Sequence, residues 1–461
     1  MIKLSQILEQ NPWWEKSVVI AEEKWDKRFL YKEIKEQIHS RFIISLLGLR
    51  RVGKSTILKQ IIAKLLAGKT NPKQILYFSF DQKLITKNED ALEKLLETYF
   101  EKILKEKVPF LKNKVFIILD EVQYIDFWQD IIKRYYDLNP KIKFFITGSQ
   151  SIALLGKSRE SLAGRIFEFY LEPLSFAEFA LLFKKKKAKN YLKNLFEIEN
   201  IFGDLEKDNY SMGHYLKKDV TDYLLFGQFP ELNKEKDLKN KYQYIKEAVI
   251  GKILEIDIPR IFKVNKVSHL KIMAEHLIEN SGSLFELNNI GRDIGINRFT
   301  CENFFQYFKN GYLLDVLYRY SKSKIKSGRT LKKAYTCSTN FISSLRGMEE
   351  DFHEKAPEVF GRVVETFIFN YLKTYCQKSR FDLSFFRKGS KEIDFIIRNE
   401  NKILPIEVKF KENIRNSDFK FLVDYSVSKK IKKALLVTKD LIKKEKNNEV
   451  EIYFIPFYFF I

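Results

Sequence analysis

The chain has 461 residues, 45% of them hydrophobic and 15% aromatic, which is too long for one ordinary core and too apolar for general disorder. Its 82 basic against 60 acidic residues leave a formal net charge of +22; that suits a polyanionic partner, or else a lysine-rich coat of the thermophilic kind. Three widely spaced cysteines (Cys301, Cys337, Cys376) and five histidines without ligand spacing exclude a disulfide framework and a zinc ribbon. With no apolar run near the ~18 residues of a membrane span and no signal-peptide core, a soluble cytoplasmic protein with no membrane partner is expected.

Residues 1–40 read as an N-terminal helical segment. An apolar strand-like run at 42–47 then leads into Gly48-Leu49-Arg50-Arg51-Val52-Gly53-Lys54-Ser55, which fits the phosphate-binding loop G-x-x-x-x-G-K-[ST] in full. A helix-like run begins at Thr56. Strand, glycine loop and helix form the context this motif needs, because successive backbone N–H groups and the positive helix end make an anion nest. Residues 48–56 are therefore expected to cradle a nucleoside triphosphate, with Lys54 on the β and γ phosphates and the Ser55 hydroxyl on Mg²⁺.

Further strands are expected at 74–80, 114–119, 141–146 and 166–170. The run at 114–119 ends in Asp120-Glu121, an acidic pair at the strand end where open α/β sheets bind ligands. Asp120 is expected to hold Mg²⁺, and Glu121 to act as general base on the attacking water. Thr147, in Thr147-Gly148-Ser149, is a candidate for contacting the γ-phosphate or orienting the water, with a turn as the competing reading. Arg165 is a candidate arginine finger acting across a subunit interface in a homo-oligomer; a structural arginine before a strand competes with it.

Residues 173–262 read as mostly helical and are expected to form a lid, interrupted by four lysines at 184–187. Between 263 and 325, helix candidates at 268–280, 284–294 and 297–309, followed by a strand at 311–317, form the sequence pattern of a winged helix. Ile296, Cys301, Phe304, Phe305 and Phe308 should then pack inward, leaving Arg298, Thr300 and Asn303 near the exposed face of a DNA-reading helix.

In residues 326–461, Glu365 falls on the apolar stripe of a helix at 361–375, a costly place for a carboxylate unless it is paired or binds metal. Asp394 lies on one strand of an expected hairpin, and Glu407 and Lys409 lie on the returning strand. Asp, a gap and Glu-x-Lys resemble the PD-(D/E)XK nuclease core. That resemblance implies Mg²⁺ on Glu365, Asp394 and Glu407, and Lys409 positioning water or stabilising the phosphate.

The phosphate loop, Leu119-Asp120-Glu121-Val122-Gln123, Ile146-Thr147-Gly148-Ser149 and Leu171-Glu172-Pro173-Leu174-Ser175-Phe176 together resemble archaeal and bacterial AAA+-type ATPases. Within these the chain is similar to the branch carrying a C-terminal nuclease-like domain of unknown function. Asn11-Pro12-Trp13-Trp14 and Gly227-Gln228-Phe229-Pro230-Glu231 also resemble that branch. The resemblance implies the AAA+ strand arrangement for the P-loop parallel sheet over 41–172; with the readings above, the expected α/β fold has five parts, the N-terminal segment, this sheet, a helical lid, a winged-helix module and a restriction-endonuclease-like α/β domain. The resemblance also implies ATP as the nucleotide. The expected function is Mg²⁺-dependent ATP hydrolysis governing a DNA-engaging C-terminal domain; a DNA-binding ATPase without cleavage and a protein-binding switch are the alternatives.

Overall fold

The apolar runs of the first 172 residues fold, in the computed structural model, into a five-stranded sheet. The structure describes residues 3–16, 20–81, 90–148, 162–321, 331–349, 351–400 and 402–461. Ser149 and the expected boundary at 325/326 lie outside these. The described residues divide into two units, Met1–Glu172 and Pro173–Ile461.

In the first unit, β1 (Ile43–Gly48), β2 (Ile75–Ser79), β3 (Val115–Asp120), β4 (Ile142–Gly148) and β5 (Ile166–Leu171) are arranged β2-β3-β4-β1-β5. All pairs are parallel. Every residue of β1, β3 and β4 is buried, as the unbroken apolar runs require of central parallel strands covered on both faces. β5 has one neighbour and is partly exposed. The outer edge of β2 is covered by the N-terminal segment. Asn11 pairs with the backbone of Tyr77 through both its amide oxygen (2.7 Å) and nitrogen (2.8 Å), and Trp13 and Trp14 donate their indole N–H groups to the Ile75 carbonyl. Unpaired strand edges invite wrong partners, and this motif blocks that one.

The second unit begins with helices, among them α3 (Phe202–Phe226), which follows α1 (Lys54–Ala67) and α2 (Trp128–Leu138) of the first unit. Lys184, in the four-lysine run, is paired with Asp219 and Asp222. Gln228 of the Gly-Gln-Phe-Pro-Glu segment is buried, its N–H donating to Asn340 and its side chain accepting from Ser338.

Next come α4 (Val267–Glu279), α5 (Leu287–Ile294) and α6 (Arg298–Asn310), then an antiparallel pair, β6 (Leu314–Tyr318) and β7 (Lys332–Thr336). Ile296, Cys301, Phe304, Phe305 and Phe308 are buried as expected. Arg298 is exposed and paired with Glu302, while Thr300 and Asn303 are half-buried.

After α7 (Pro357–Ser379) the chain builds a six-stranded mixed sheet. Its strands are β8 (Asp382–Lys388), β9 (Lys391–Asn399), β10 (Lys402–Lys409), β11 (Lys433–Thr438), β12 (Lys443–Asn447) and β13 (Val450–Pro456), in the order β12-β13-β11-β10-β9-β8. Helix α8 (Asn416–Ser428) precedes β11. Ile396 of β9 packs with Phe419 and Leu422 of α8, whereas its neighbour Phe395 meets Phe369 of α7; strand alternation thus puts the two helices on opposite faces. The apolar C-terminus is buried as β13 and a short turn of helix.

One buried charge offers a test of the first unit's core. Lys143 on β4 is fully buried, its Nζ donating to Ser40 Oγ at 3.0 Å and to the Phe42 carbonyl. Burial, followed by the nearby Lys114, pushes its ammonium down from 10.5 to about 7. Between those values the unfolded chain binds a proton that the folded chain does not, so stability falls as pH drops through that window. We predict that from about pH 9.5 to about pH 7 the wild type loses on the order of 1–3 kcal/mol relative to Lys143→Met. Thermal melting of both proteins at the two pH values measures this, and a constant difference would contradict it.

Candidate functional site

The C-terminal ends of β1, β3 and β4 lie side by side, with Leu47 opposite Gly148 and Leu119 opposite Ile146. At the first of these ends the chain leaves the sheet at Gly48 with φ +148°. A Cβ there would lie 2.3 Å from the Leu171 carbonyl oxygen of β5, so only glycine lets the loop depart so close to its neighbour. Leu49 and Val52 are buried and anchor the loop, Arg51 has φ +66°, and Gly53 is left-handed before α1 starts at Lys54. Arg50 donates to the Tyr124 hydroxyl. Ser55 and Thr56 occupy the first turn of α1. Lys54 is 4% exposed, and its Nζ donates to the carbonyls of Gly48 (3.0 Å) and Leu49 (2.9 Å), 3.9 Å from Glu121. Arg28 reinforces the loop by donating to the Val52 and Glu172 carbonyls.

Asp120, 2% exposed, receives hydrogen bonds from the hydroxyls of Thr147, Tyr77 (3.0 Å) and Ser55. Burial, then Glu121, raises its carboxyl above the ordinary value, while Ser55, Thr147 and Lys54 draw it back. Such a carboxylate is stabilised by an added cation. The Thr147 oxygen also accepts from the Glu121 N–H at 3.0 Å, so one hydroxyl fixes both acidic residues. Glu121 is left-handed (φ +57°), and its carboxylate accepts from Gln123. Ser55 and Asp120 are in contact, and Mg²⁺ at a phosphate loop takes few protein ligands, the rest being phosphate and water. These residues fit Mg²⁺.

Arg165 does not join them. It sits at the opposite end of the sheet, its carbonyl accepting from the N–H of Ile43 at the start of β1 and its guanidinium paired with Asp137 at 2.9 Å and 3.1 Å. The six residues of β1 separate it from its own phosphate loop, roughly 20 Å of strand. It therefore has no access to a nucleotide bound by its own chain.

In the second unit, α7 and the β9–β10 hairpin bring Glu365, Asp394, Glu407 and Lys409 into one neighbourhood. The hairpin ladder is regular as far as Ile406 opposite Phe395; beyond it, Asp394 Oδ2 accepts from the Val408 N–H at 2.8 Å. Lys409 Nζ is 2.6 Å from Glu407 Oε1, and Glu407 Oε2 is buried without a hydrogen-bond partner. Burial and Asp394 push the Glu407 carboxyl up to about 8.

The expected metal set of Glu365, Asp394 and Glu407 is not formed: among the described residues no three His, Cys, Asp or Glu side chains gather closely enough to hold a metal ion. Lys333 of β7 stands among these carboxylates. Its Nζ lies 3.0 Å from Glu365, 2.6 Å from Glu392 and 3.8 Å from Asp394, while Lys409 holds Glu407. The carboxylates meet ammonium groups instead of one another.

Lys333, Glu392, Tyr77 and Arg28 were not singled out in the sequence. Glu392 stands two residues before Asp394, so strand alternation could have suggested it, but Lys333 carries no such mark. Nothing local marks Arg28.

Residues 40–180 match the family model described as AAA domain; residues 217–351 and 360–459 match two families described as domains of unknown function. Two uncharacterized proteins of Methanocaldococcus jannaschii are similar: one is 28% identical over 377 residues (80% of this chain, 75% of that one), the other 26% identical over 393 residues (81% and 78%). A solved structure titled as the Aeropyrum pernix ORC1 protein in complex with DNA is 10% identical, with a TM-score of 0.32 over 73% of this chain and 96% of that one. No helix among the described residues is long and apolar enough to cross a membrane. Together, the parallel sheet, its loop and the family match make residues 40–180 an AAA-type P-loop ATPase domain.

Proposed function

We propose that this protein is a Mg²⁺-dependent ATPase whose nucleotide state controls how its second unit engages DNA. The observation that carries the reading is the Thr147 hydroxyl bound at once to Asp120 and to the Glu121 N–H, beside a loop ending in Lys54 and Ser55. The N–H groups of the loop receive the phosphates, and Lys54 exchanges the Gly48 and Leu49 carbonyls for phosphate oxygens. Mg²⁺ held by Ser55 and Asp120 supplies charge neutralisation at the phosphates. Glu121 takes the proton of the water whose oxygen attacks the γ-phosphorus, as the bond to the bridging oxygen breaks and ADP leaves.

DNA engagement is supported by the net charge of +22 and by the three helices and two-stranded sheet at 267–336, read as a winged helix. On that reading Arg298, Thr300 and Asn303 on α6 face the duplex. Between binding with cleavage and binding without it, the Lys333 ammonium within the carboxylate cluster favours the second. Arg165 is available only to the nucleotide of a second copy, which makes a homo-oligomer part of the proposal.

Glu121→Gln is expected to keep nucleotide affinity within about threefold and to lower ATP turnover by about 10²-fold or more. Turnover and fluorescent-nucleotide binding measure the two effects. Thr147→Ala, which frees both acidic residues, should lower turnover roughly 10–100-fold; an undiminished rate in either variant removes that residue from the mechanism. Duplex DNA should raise ATP turnover, and its affinity should fall at least about tenfold between about 50 and 200 mM salt. Turnover indifferent to DNA, or binding indifferent to salt, would leave the protein-binding switch in its place.

A further inference from the structure

The carboxylates of the second unit sit where a metal-dependent nuclease would gather its ligands, yet a lysine from a different element stands among them. We propose that this cluster carries its own cation: the Lys333 ammonium fills the place a divalent ion would take, and the site recruits no metal.

Position and anchoring both argue for this. Lys333 comes from β7, well outside the β9–β10 hairpin, and is 3% exposed. It lies within ion-pair reach of Glu365, Glu392 and Asp394, which belong to α7 and β9. A surface lysine would not be held to three carboxylates at once.

The residues that follow Lys333 on the strand are fixed to α7 and to the turn after α4. Tyr335 donates to Glu365 at 2.7 Å, and its ring stacks on Phe369 with centroids 4.1 Å apart. The Thr336 N–H donates to Ser281 Oγ (3.0 Å), which lies 2.8 Å from Thr366 Oγ1. The Gly282 N–H donates to the Ala334 carbonyl at 2.8 Å. At Gly282 (φ +86°) a Cβ would come within 3.1 Å of Glu365 Oε1, so the absence of a side chain there keeps room for this carboxylate. The register of β7 thus delivers Nζ to the cluster as a fixed part of the fold.

All but one of the charges are met from within. The four carboxylates of Glu365, Glu392, Asp394 and Glu407 face three cations, Lys333, Lys409 and Arg387, the last at 3.1 Å from Glu392. What remains is Glu407 Oε2, unpartnered on a side chain only 8% exposed. That oxygen is the point at which the cluster would take a metal once Lys333 no longer supplied its charge, because buried carboxylates left uncompensated demand a cation.

The test is Mn²⁺ titration of the full-length, nucleotide-free protein, followed by electron paramagnetic resonance and by thermal melting. Four proteins are compared: the wild type, Glu407→Gln, Lys333→Met and the double variant. The wild type and Glu407→Gln should bind Mn²⁺ identically up to about 1 mM. Lys333→Met should gain one Mn²⁺ per chain, at least roughly tenfold tighter than any wild-type binding, with a metal-dependent rise in Tm, and the double variant should lose both. Wild-type Mn²⁺ binding that Glu407→Gln abolishes would overturn the proposal, as would a folded Lys333→Met that binds no more metal than the wild type. If Lys333→Met does not fold, the comparison of wild type with Glu407→Gln decides alone. The site at Asp120 is the same in all four proteins, so the result is independent of the ATPase reading.

Discussion

A carboxylate taken out of water has to meet positive charge or donors, and the way each unit answers that demand organises the rest of the molecule. In the first unit Asp120 is surrounded by hydroxyls, from Ser55, Thr147 and Tyr77, with Lys54 turned toward the loop carbonyls. Hydroxyl groups orient a carboxylate without neutralising it, so the site keeps an appetite for a cation. In the second unit Glu365, Glu392 and Asp394 meet Lys333 directly, and Glu407 meets Lys409. One unit leaves its charge to be met by a ligand, whereas the other meets it with its own side chains.

The grouping of the phosphate loop with Asp120, Glu121 and Thr147 was readable in the sequence because the motifs that carry it are local. A phosphate loop is a contiguous run, and an acidic pair at the end of an apolar strand declares its position at the sheet's ligand-binding edge. The five strands, the buried face of α6 and the apolar terminal strand followed from periodicity for the same reason. What escaped was contact between distant parts. Tyr77 reaches Asp120 only because β2 lies beside β3, and Arg28 reaches the loop across 24 residues. Lys333 reached the acidic cluster through the register of β7 against α7, a fact of tertiary packing with no local mark.

The same limit applies to the distance between Arg165 and its own phosphate loop. An arginine before a strand has one sequence context whether it faces a nucleotide or an aspartate. Only the direction of β5, parallel to β1, puts it at the far end of the sheet beside Asp137. In the second unit Asp, a gap and Glu-x-Lys were correct as a description of the hairpin. Charge balance there depended on residues from other elements, which no short motif contains.

The Asn11, Trp13 and Trp14 clasp on β2 has a consequence for synthesis. Asn11 finds its partner 66 residues further along the chain. At typical translation rates the N-terminal segment therefore waits on the order of several seconds before β2 exists to receive it. During that interval two indole rings and an amide have no strand to dock on. A holdase that shields this segment as it emerges would cover the two indole rings until β2 arrives.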